Sequence, residues 1–412
     1  MRLLERFLNE ELQFLFNSIS PFSRKNLSGG EMKKGKASYW SIVPFLMLLI
    51  TSCSGHDAPI IPDYRIANFE VIASEFTIPW GIEVIGEDDY LFTERLGSLF
   101  RYKDGIVTQI SNIPNSNVYS VLGGLMLGGL MDASVHPQFD SNNMVYLAYV
   151  ATDDQLAVAR FQLQNNVAQN LEVIFKANAF SIGSRIAWQN DTHFFLTLGL
   201  GGTPYPEPGA QDLNDDRGKI HRLMEDGSIP PDNPTFPGIA SPSSIWSYGH
   251  RNPQGLYYDF ASGTLYANEH GPLGGDELNI ITRGGNYGWP LFSYGLNYDE
   301  TPVSNMSEQE AAATTILPAK YWGPDFRVAP SGLIKLSDSN FNSWNGSFLM
   351  GTLRPQDLLQ YNLETDETEI VLANVGRVRD VAQLPSGNLL ILVDAGSPND
   401  ADEGRIIKLT PR

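Results

Sequence analysis

Six short hairpin-like units recur along the chain, and they constrain the fold more than any other feature. Each begins at a Gly, Asp or Arg, runs as a short apolar strand, passes a turn and continues as a second apolar strand. The units are GIEVIGEDDYLFTER (81–95), DASVHPQFDSNNMVYLAYV (132–150), RIAWQNDTHFFLTLG (185–199), GLYYDFASGTLYANEHG (255–271), GLIKLSDSNFNSWNGSFLMGTL (332–353) and DVAQLPSGNLLILVD (380–394). Their starts lie 51, 53, 70, 77 and 48 residues apart. Such a spacing holds four short strands plus loops, which is one blade of a propeller. A sandwich also contains hairpins, but six near-regular repeats are hard to obtain from one. The expectation is an all-β fold, a six-bladed β-propeller over 66–412. The two long spacings should supply loops to the face that carries function. A propeller ring is usually closed by strands from both termini. By position, ANFEVIASEF (67–76) is the candidate partner of GRIIKLTP (404–411).

Composition agrees. The 412 residues include 38 Gly and 26 Pro, with 45 aromatics in 21 Phe, 17 Tyr and 7 Trp. Charged residues make up 18%, and the formal charge is −19. This excludes a disordered chain, a coiled coil and a basic nucleic-acid binder. It suits a turn-rich β protein with a large core.

The single cysteine, Cys53, excludes an internal disulfide and a cysteine-based metal site. Its setting reads as a lipoprotein signal. Met32 opens a segment with Lys33, Lys34 and Lys36, followed by an apolar stretch from Ser41 to Ile50, too short to span a bilayer comfortably. Ile50-Thr51-Ser52-Cys53 then resembles a lipobox, whose thiol receives the lipid. A short membrane anchor or a buried thiol is the competing reading. The expected organisation is a misassigned N-terminal extension over 1–31, a signal peptide over 32–52, a lipidated tether over 53–65 and the propeller beyond it. A genuine cytosolic extension over 1–31 is the alternative. Cleavage before Cys53 would remove seven Lys/Arg and four Asp/Glu and bring the charge to −22. The expected location is the bacterial cell envelope, lipid-anchored on the periplasmic or extracellular side, with no nucleic-acid partner.

Three motifs occur in order over 44 residues: SYGHRNPQGLYYD (247–259), NEHGPLGGDELNII (268–281) and GGNYGWP (284–290). With GGLMDASVHPQF (128–139), GKIHRLMEDGSIPPDNP (218–234), APSG (329–332), GTLRPQDLL (351–359) and RVRDV (377–381), they resemble the soluble sugar dehydrogenases dependent on pyrroloquinoline quinone (PQQ), the glucose/sorbosone and aldose sugar dehydrogenase family. The resemblance covers essentially all of 66–412 and implies a six-bladed propeller.

The resemblance also implies a site. PQQ is a flat tricarboxylate, which guanidinium groups recognise well. Arg251, Arg377 and Arg379 match the family's cofactor-contacting arginines and Asn252 its adjacent asparagine. Arg354 stands where the family usually has lysine. Any one of these arginines could instead pair with a surface acid. Gly271 and Pro272 match positions whose carbonyls hold the calcium ion against the quinone. A second calcium would use the Glu277 carboxylate and carbonyls of Tyr287 and Ser293. Asn297 stands where its last ligand is usually an acid. Oxygen donors of these kinds suit calcium.

The family's proton-abstracting histidine matches Ser181, in Ser181-Ile182-Gly183-Ser184-Arg185. Its acidic partner matches Leu200, and the cofactor-side glutamine matches Leu127. His250 and His270 belong to family motifs that accompany an intact base, so neither is an obvious substitute; His136, His193 and His221 look structural. Loss of a positioned base costs roughly 10²–10⁴-fold in rate. Two functions therefore stand. One is calcium- and PQQ-dependent oxidation of an aldose to its lactone, with electrons passed to an acceptor. The other is an inactive propeller lipoprotein that binds PQQ, a sugar or a protein partner.

Overall fold

A computed structural model describes residues 67–120, 126–199, 208–239, 242–394 and 404–412. Cys53, Leu200 and the segment 1–65 lie outside the described residues. Six four-stranded antiparallel sheets form a closed ring, so the six-bladed propeller is the fold. Blade I comprises Pro79–Gly86, Asp89–Glu94, Ser98–Lys103 and Ile106–Gln109. Blade II comprises Leu130–Val135, Met144–Val150, Leu156–Gln164 and Val167–Lys176. Blade III comprises Ile186–Trp188, His193–Leu198, Lys219–Met224 and Ile245–Tyr248. Blade IV comprises Pro253–Asp259, Thr264–Glu269, Asp276–Ile281 and Lys320–Trp322, and blade V Pro330–Lys335, Phe348–Thr352, Leu358–Asn362 and Glu367–Leu372.

Blade VI closes the ring. Arg377–Gln383, Leu389–Asp394 and Gly404–Pro411 come from the C-terminal end, and the outermost strand Ala67–Phe76 from the other. The latter pairs antiparallel with the C-terminal strand, from Ala67 opposite Pro411 to Phe76 opposite Gly404. The apolar cluster of Phe76, Ile82, Phe92, Leu390, Leu392 and Ile406 then seals blade VI against blade I.

Burial explains the sequence pattern. A blade's inner strands are covered on both faces by neighbouring blades, so they need apolar residues throughout rather than alternation. Met144–Val150 and Leu389–Asp394 are buried almost end to end. The outermost strand of blade I, Ile106–Gln109, is exposed over most of its length.

The six repeat starts form one structural set. Gly81, Asp132, Gly255, Gly332 and Asp380 lie in the innermost strands of their blades, and Arg185 immediately precedes its own. The Arg185 guanidinium reaches Asp380 Oδ2 at 2.7 Å and Asp132 Oδ1 at 3.3 Å. It also donates to the carbonyls of Gln254 at 2.9 Å and Arg379 at 2.8 Å. A side chain at Gly81 would start 2.6 Å from Asp132 Oδ1, and one at Gly332 would collide with the Asp380 carboxylate. The glycines thus leave room on the axis for a buried ion cluster.

Antiparallel pairing sets the face on which chemistry can gather. The start of each blade's first strand lies beside the end of its second. Pro79 faces Glu94, Pro253 faces Glu269, and Arg377 faces Asp394. Residues flanking these pairs project from one end of the ring. The long connection between Ile281 and Lys320 leaves and rejoins the blade at the other end, but its middle reaches this one, where Leu296 pairs with Leu273 and Trp289 and Ser293 lie beside Arg251.

Candidate functional site

The candidate site is built from the residues beside those paired strand ends. Arg377 opens the first strand of blade VI and Asp394 ends its second, so the two face each other. Arg379 Nε donates to the Asp394 carboxylate at very short range. Arg377 Nε lies 3.3 Å from the other carboxylate oxygen, and its Nη1 donates to the Leu353 carbonyl at 2.8 Å. Two predicted arginines thus share one acid. Burial, followed by repulsion from Arg379, brings Arg377 down to about 10.

A third guanidinium, Arg95, joins them. It follows the second strand of blade I and is buried. Its Cζ lies 4.1 Å from the Trp80 ring centre, and Arg379 Cζ lies 4.7 Å from the same centre. Burial chiefly, then the charges of Arg379 and Arg377, holds Arg95 well below the ordinary arginine range. It forms no ion pair of its own among the described residues. Sequence reasoning missed Arg95, Trp80 and Asp394. Register could have found Arg95: it follows Glu94 as His270 follows Glu269, and both acids end a second strand.

Arg354 lies at the rim. It is exposed and forms no ion pair among the described residues, although Arg377 binds the carbonyl next to it.

Arg251 and Asn252 are anchored by blade IV. Both backbone N–H groups donate to Glu269 Oε2, at 2.6 and 3.2 Å. The Arg251 guanidinium donates to the His270 and Gly271 carbonyls at 3.0 and 2.7 Å. It also stands over Trp289 at 5.2 Å. Asn252 Oδ1 accepts from Gln254 Nε2 at 2.8 Å. Arg251 thus already occupies the Gly271 carbonyl, one of the two predicted for calcium. Neighbouring Pro272 is buried. Asp276 staples this loop, accepting from Gly271 N at 3.0 Å and from Val328 and Ala329 N at 3.0 and 2.9 Å.

Beside Arg251 lies a small cavity of about 10 Å³. Glu269, Glu277, Tyr287 and Ser293 line it, so three of the four residues predicted for a second calcium meet there. Burial, followed by the Glu269 charge, pushes Glu277 well above the usual carboxyl range. Asn279 Nδ2 bridges the two acids at 2.9 and 3.1 Å. Asn297 does not line this cavity. Its Nδ2 donates to Thr301 Oγ1 and the Pro302 carbonyl at 3.1 and 3.0 Å.

Ser181 is fully buried and spends its hydroxyl on its own loop. It donates to the Gly183 carbonyl at 2.5 Å and accepts from Gly199 N at 3.2 Å. Leu127 sits in a small hairpin opposite Tyr119, whose ring meets Phe180 edge-on at 5.7 Å. No described histidine fills the gap. Both ring nitrogens of His250 are engaged, by Ser247 at 2.9 Å and Glu269 at 3.0 Å. His270 Nε2 donates to the Pro330 carbonyl at 2.8 Å, and burial holds its pKa below the usual value. His136 lies in the turn after the first strand of blade II and His193 opens the second strand of blade III, both at the other end of the ring.

The glucose/sorbosone dehydrogenase family model matches residues 76–408. The chain belongs to that family. It is similar to the aldose sugar dehydrogenase YliI of Escherichia coli, 30% identical over 84% of this chain and 93% of that one. The crystal structure of the soluble aldose sugar dehydrogenase from Escherichia coli, in its apo form, superposes with a TM-score of 0.73 at 29% identity, over 84% of this chain and all of that one. The PQQ-bound aldose sugar dehydrogenase of Streptomyces coelicolor superposes at 0.67 with 26% identity, over 86% of this chain and all of that one.

Proposed function

We propose that the chain binds PQQ at the face carrying Arg251, Asn252, Arg377 and Arg379, with calcium beside it, and oxidises an aldose to its lactone. The observation that carries this reading is the charge imbalance under that face. Arg95, Arg377 and Arg379 are close together, and among the described residues only Asp394 pairs with any of them. Buried guanidiniums without matching carboxylates are costly, and a polycarboxylate ligand offsets that cost. Arg354 stands at the rim as a further cation.

Calcium fits the donor set. Two acids crowd the cavity beneath Arg251, and a divalent cation would relieve their repulsion. Gly271 and Pro272 carbonyls would hold the ion at the quinone once the Arg251 guanidinium turns from Gly271 to the cofactor's carboxylates, and Glu277, Tyr287 and Ser293 the second. When bound, PQQ supplies a two-electron sink, and calcium polarises it as a Lewis acid. The protein's part is to hold the carboxylates and to orient the sugar.

A second reading has its own observation. The hydroxyl of Ser181 is engaged on both sides within its loop and cannot act as the family's base. That favours a propeller that binds PQQ, a sugar or a protein partner with little turnover. Residues 53–65 support a tether to the cell envelope, argued from the lipobox at Cys53. The deciding experiment adds PQQ and Ca²⁺ to the purified protein and measures cofactor affinity and aldose-dependent dye reduction. Binding with turnover supports the dehydrogenase. Binding without turnover supports the second reading. No binding overturns the PQQ assignment.

A further inference from the structure

The arginines of the site and the emptied base position are joined by one side chain. Arg95 Nε donates to the Gly128 carbonyl at 2.9 Å, and its Nη2 to the Ile182 carbonyl at 2.6 Å. Gly128 follows Leu127 and Ile182 follows Ser181. These carbonyls belong to the two segments that carry the substituted positions. On its other side the guanidinium rests on Trp80, which Arg379 shares. Arg379 is in turn fixed by Asp394.

Each contact has a physical reason. A planar guanidinium can bridge two carbonyls through separate N–H groups while its face lies on an aromatic ring. An ammonium is a compact point charge on a shorter reach and lacks that planar fork. Trp is the best aromatic partner for a cation, and desolvation strengthens the attraction. A ring shared by two cations spaces them and offsets part of their repulsion. The remaining charge has no carboxylate of its own among the described residues. An arginine needed only to tie two carbonyls would be better served by a nearby acid. Here it stands among other arginines.

We infer that Arg95 is a positioning residue for a planar polycarboxylate. It adds charge behind Arg377 and Arg379, and through Gly128 and Ile182 it fixes the two segments bordering the substrate side. The inference rests on the PQQ-binding reading above. It assigns Arg95 and Trp80 to the cofactor's hold, although neither lies in the motifs that carried the resemblance.

The test is a PQQ titration of the full chain with Ca²⁺, followed by intrinsic fluorescence at two ionic strengths. It compares the unaltered protein with Arg95→Met, Arg95→Lys and Trp80→Leu. Circular dichroism and melting confirm that each variant is folded. Arg95→Met should weaken PQQ binding at least tenfold and flatten its salt dependence, since fewer charges are then screened. Arg95→Lys should restore the salt dependence but only part of the affinity, because the ammonium keeps the charge without the bridge. Trp80→Leu should weaken binding by a smaller factor. Equal affinity in the unaltered protein, Arg95→Met and Arg95→Lys overturns this inference alone. No PQQ binding by the unaltered protein overturns the cofactor reading and this inference together. If Arg95→Met does not fold, Arg95→Lys decides: unchanged affinity counts against the bridge, and a several-fold loss supports it.

Discussion

The Arg185 guanidinium lies 2.7 Å from the Asp380 carboxylate across the centre of the ring. Blades III and VI are 195 residues apart in sequence at this contact, so the pair is a tertiary lock. Asp132 from blade II joins it, and the Asp380 carboxylate also accepts from Ile82 N of blade I at 2.9 Å. Breaking a buried pair by removing one partner leaves uncompensated charge and costs about 3–5 kcal/mol. Arg185→Met should lower unfolding stability by that amount, read as a shift in the urea midpoint. A loss below about 1 kcal/mol, the range of exposed pairs, would show that water reaches the cluster.

The same axis predicts a pH effect. Glu83 lies toward the opposite mouth from the arginine face and accepts from Val135 N at 3.0 Å. Burial chiefly, with Asp132 and Asp380 adding repulsion, pushes its pKa up to about 8. Asp132 is likewise raised, to about 6, by burial against the pull of Arg185. An acid raised by folding binds its proton more tightly in the native state. Its contribution is therefore full below the unfolded value and is lost as pH rises through the folded one. Melting temperature should fall between about pH 5 and pH 8, and Glu83→Gln should flatten that fall. An unchanged slope in the variant would assign the pH dependence elsewhere.

Much of this fold was legible because propeller blades bury their inner strands on both faces. MVYLAYV and LLILVD had to be apolar runs, and the turn after each first strand set the repeat. The starts at Gly81, Asp132, Arg185, Gly255, Gly332 and Asp380 were visible as a pattern, but not their meeting on the axis. That depends on ring closure, which no local periodicity encodes. The candidate site was legible where motif residues are held through their own backbone, as at Arg251 and Asn252. Arg95 was not, because its role comes from Trp80, Gly128, Ile182 and Arg379, which only the ring brings together. Asn297 is a different case: the resemblance suggested a ligand, and its Nδ2 is held by Thr301 and Pro302 while its Oδ1, the atom a cation would use, has no hydrogen-bond partner among the described residues.

Cofactor binding should appear as stability. A ligand that binds only the folded chain adds about 2.7 kcal/mol at a hundredfold excess over its Kd. PQQ with Ca²⁺ should raise the melting temperature, and Arg377→Ala with Arg379→Ala should abolish the rise. The variant will also start lower, because Asp394 loses both arginines. The informative quantity is therefore the ligand-induced increment. An undiminished increment in the double variant would move the carboxylate site away from blade VI.

The base position gives the most direct test of turnover. Ser181 is buried, and its hydroxyl bridges Gly183 and Gly199. An imidazole there must leave the interior of the loop, so Ser181→His should lower the melting temperature even as it restores a proton acceptor. Alone it lacks the acid that orients the ring and stabilises its protonated form. Leu200→Asp alone has no imidazole to serve. The two should act as a unit, so their effects on aldose oxidation should not add. The expected order in steady-state dye reduction at matched PQQ occupancy is unaltered protein and Leu200→Asp lowest, Ser181→His slightly higher, and the double variant highest. The recovery from a positioned base should be on the order of 10²-fold or more. Turnover by the unaltered protein within roughly 1–10³ s⁻¹ would show that another residue abstracts the proton. His270 would then be the first position to change: it borders the Arg251 site, and with Nε2 donating to the Pro330 carbonyl its Nδ1 is the nitrogen able to accept a proton.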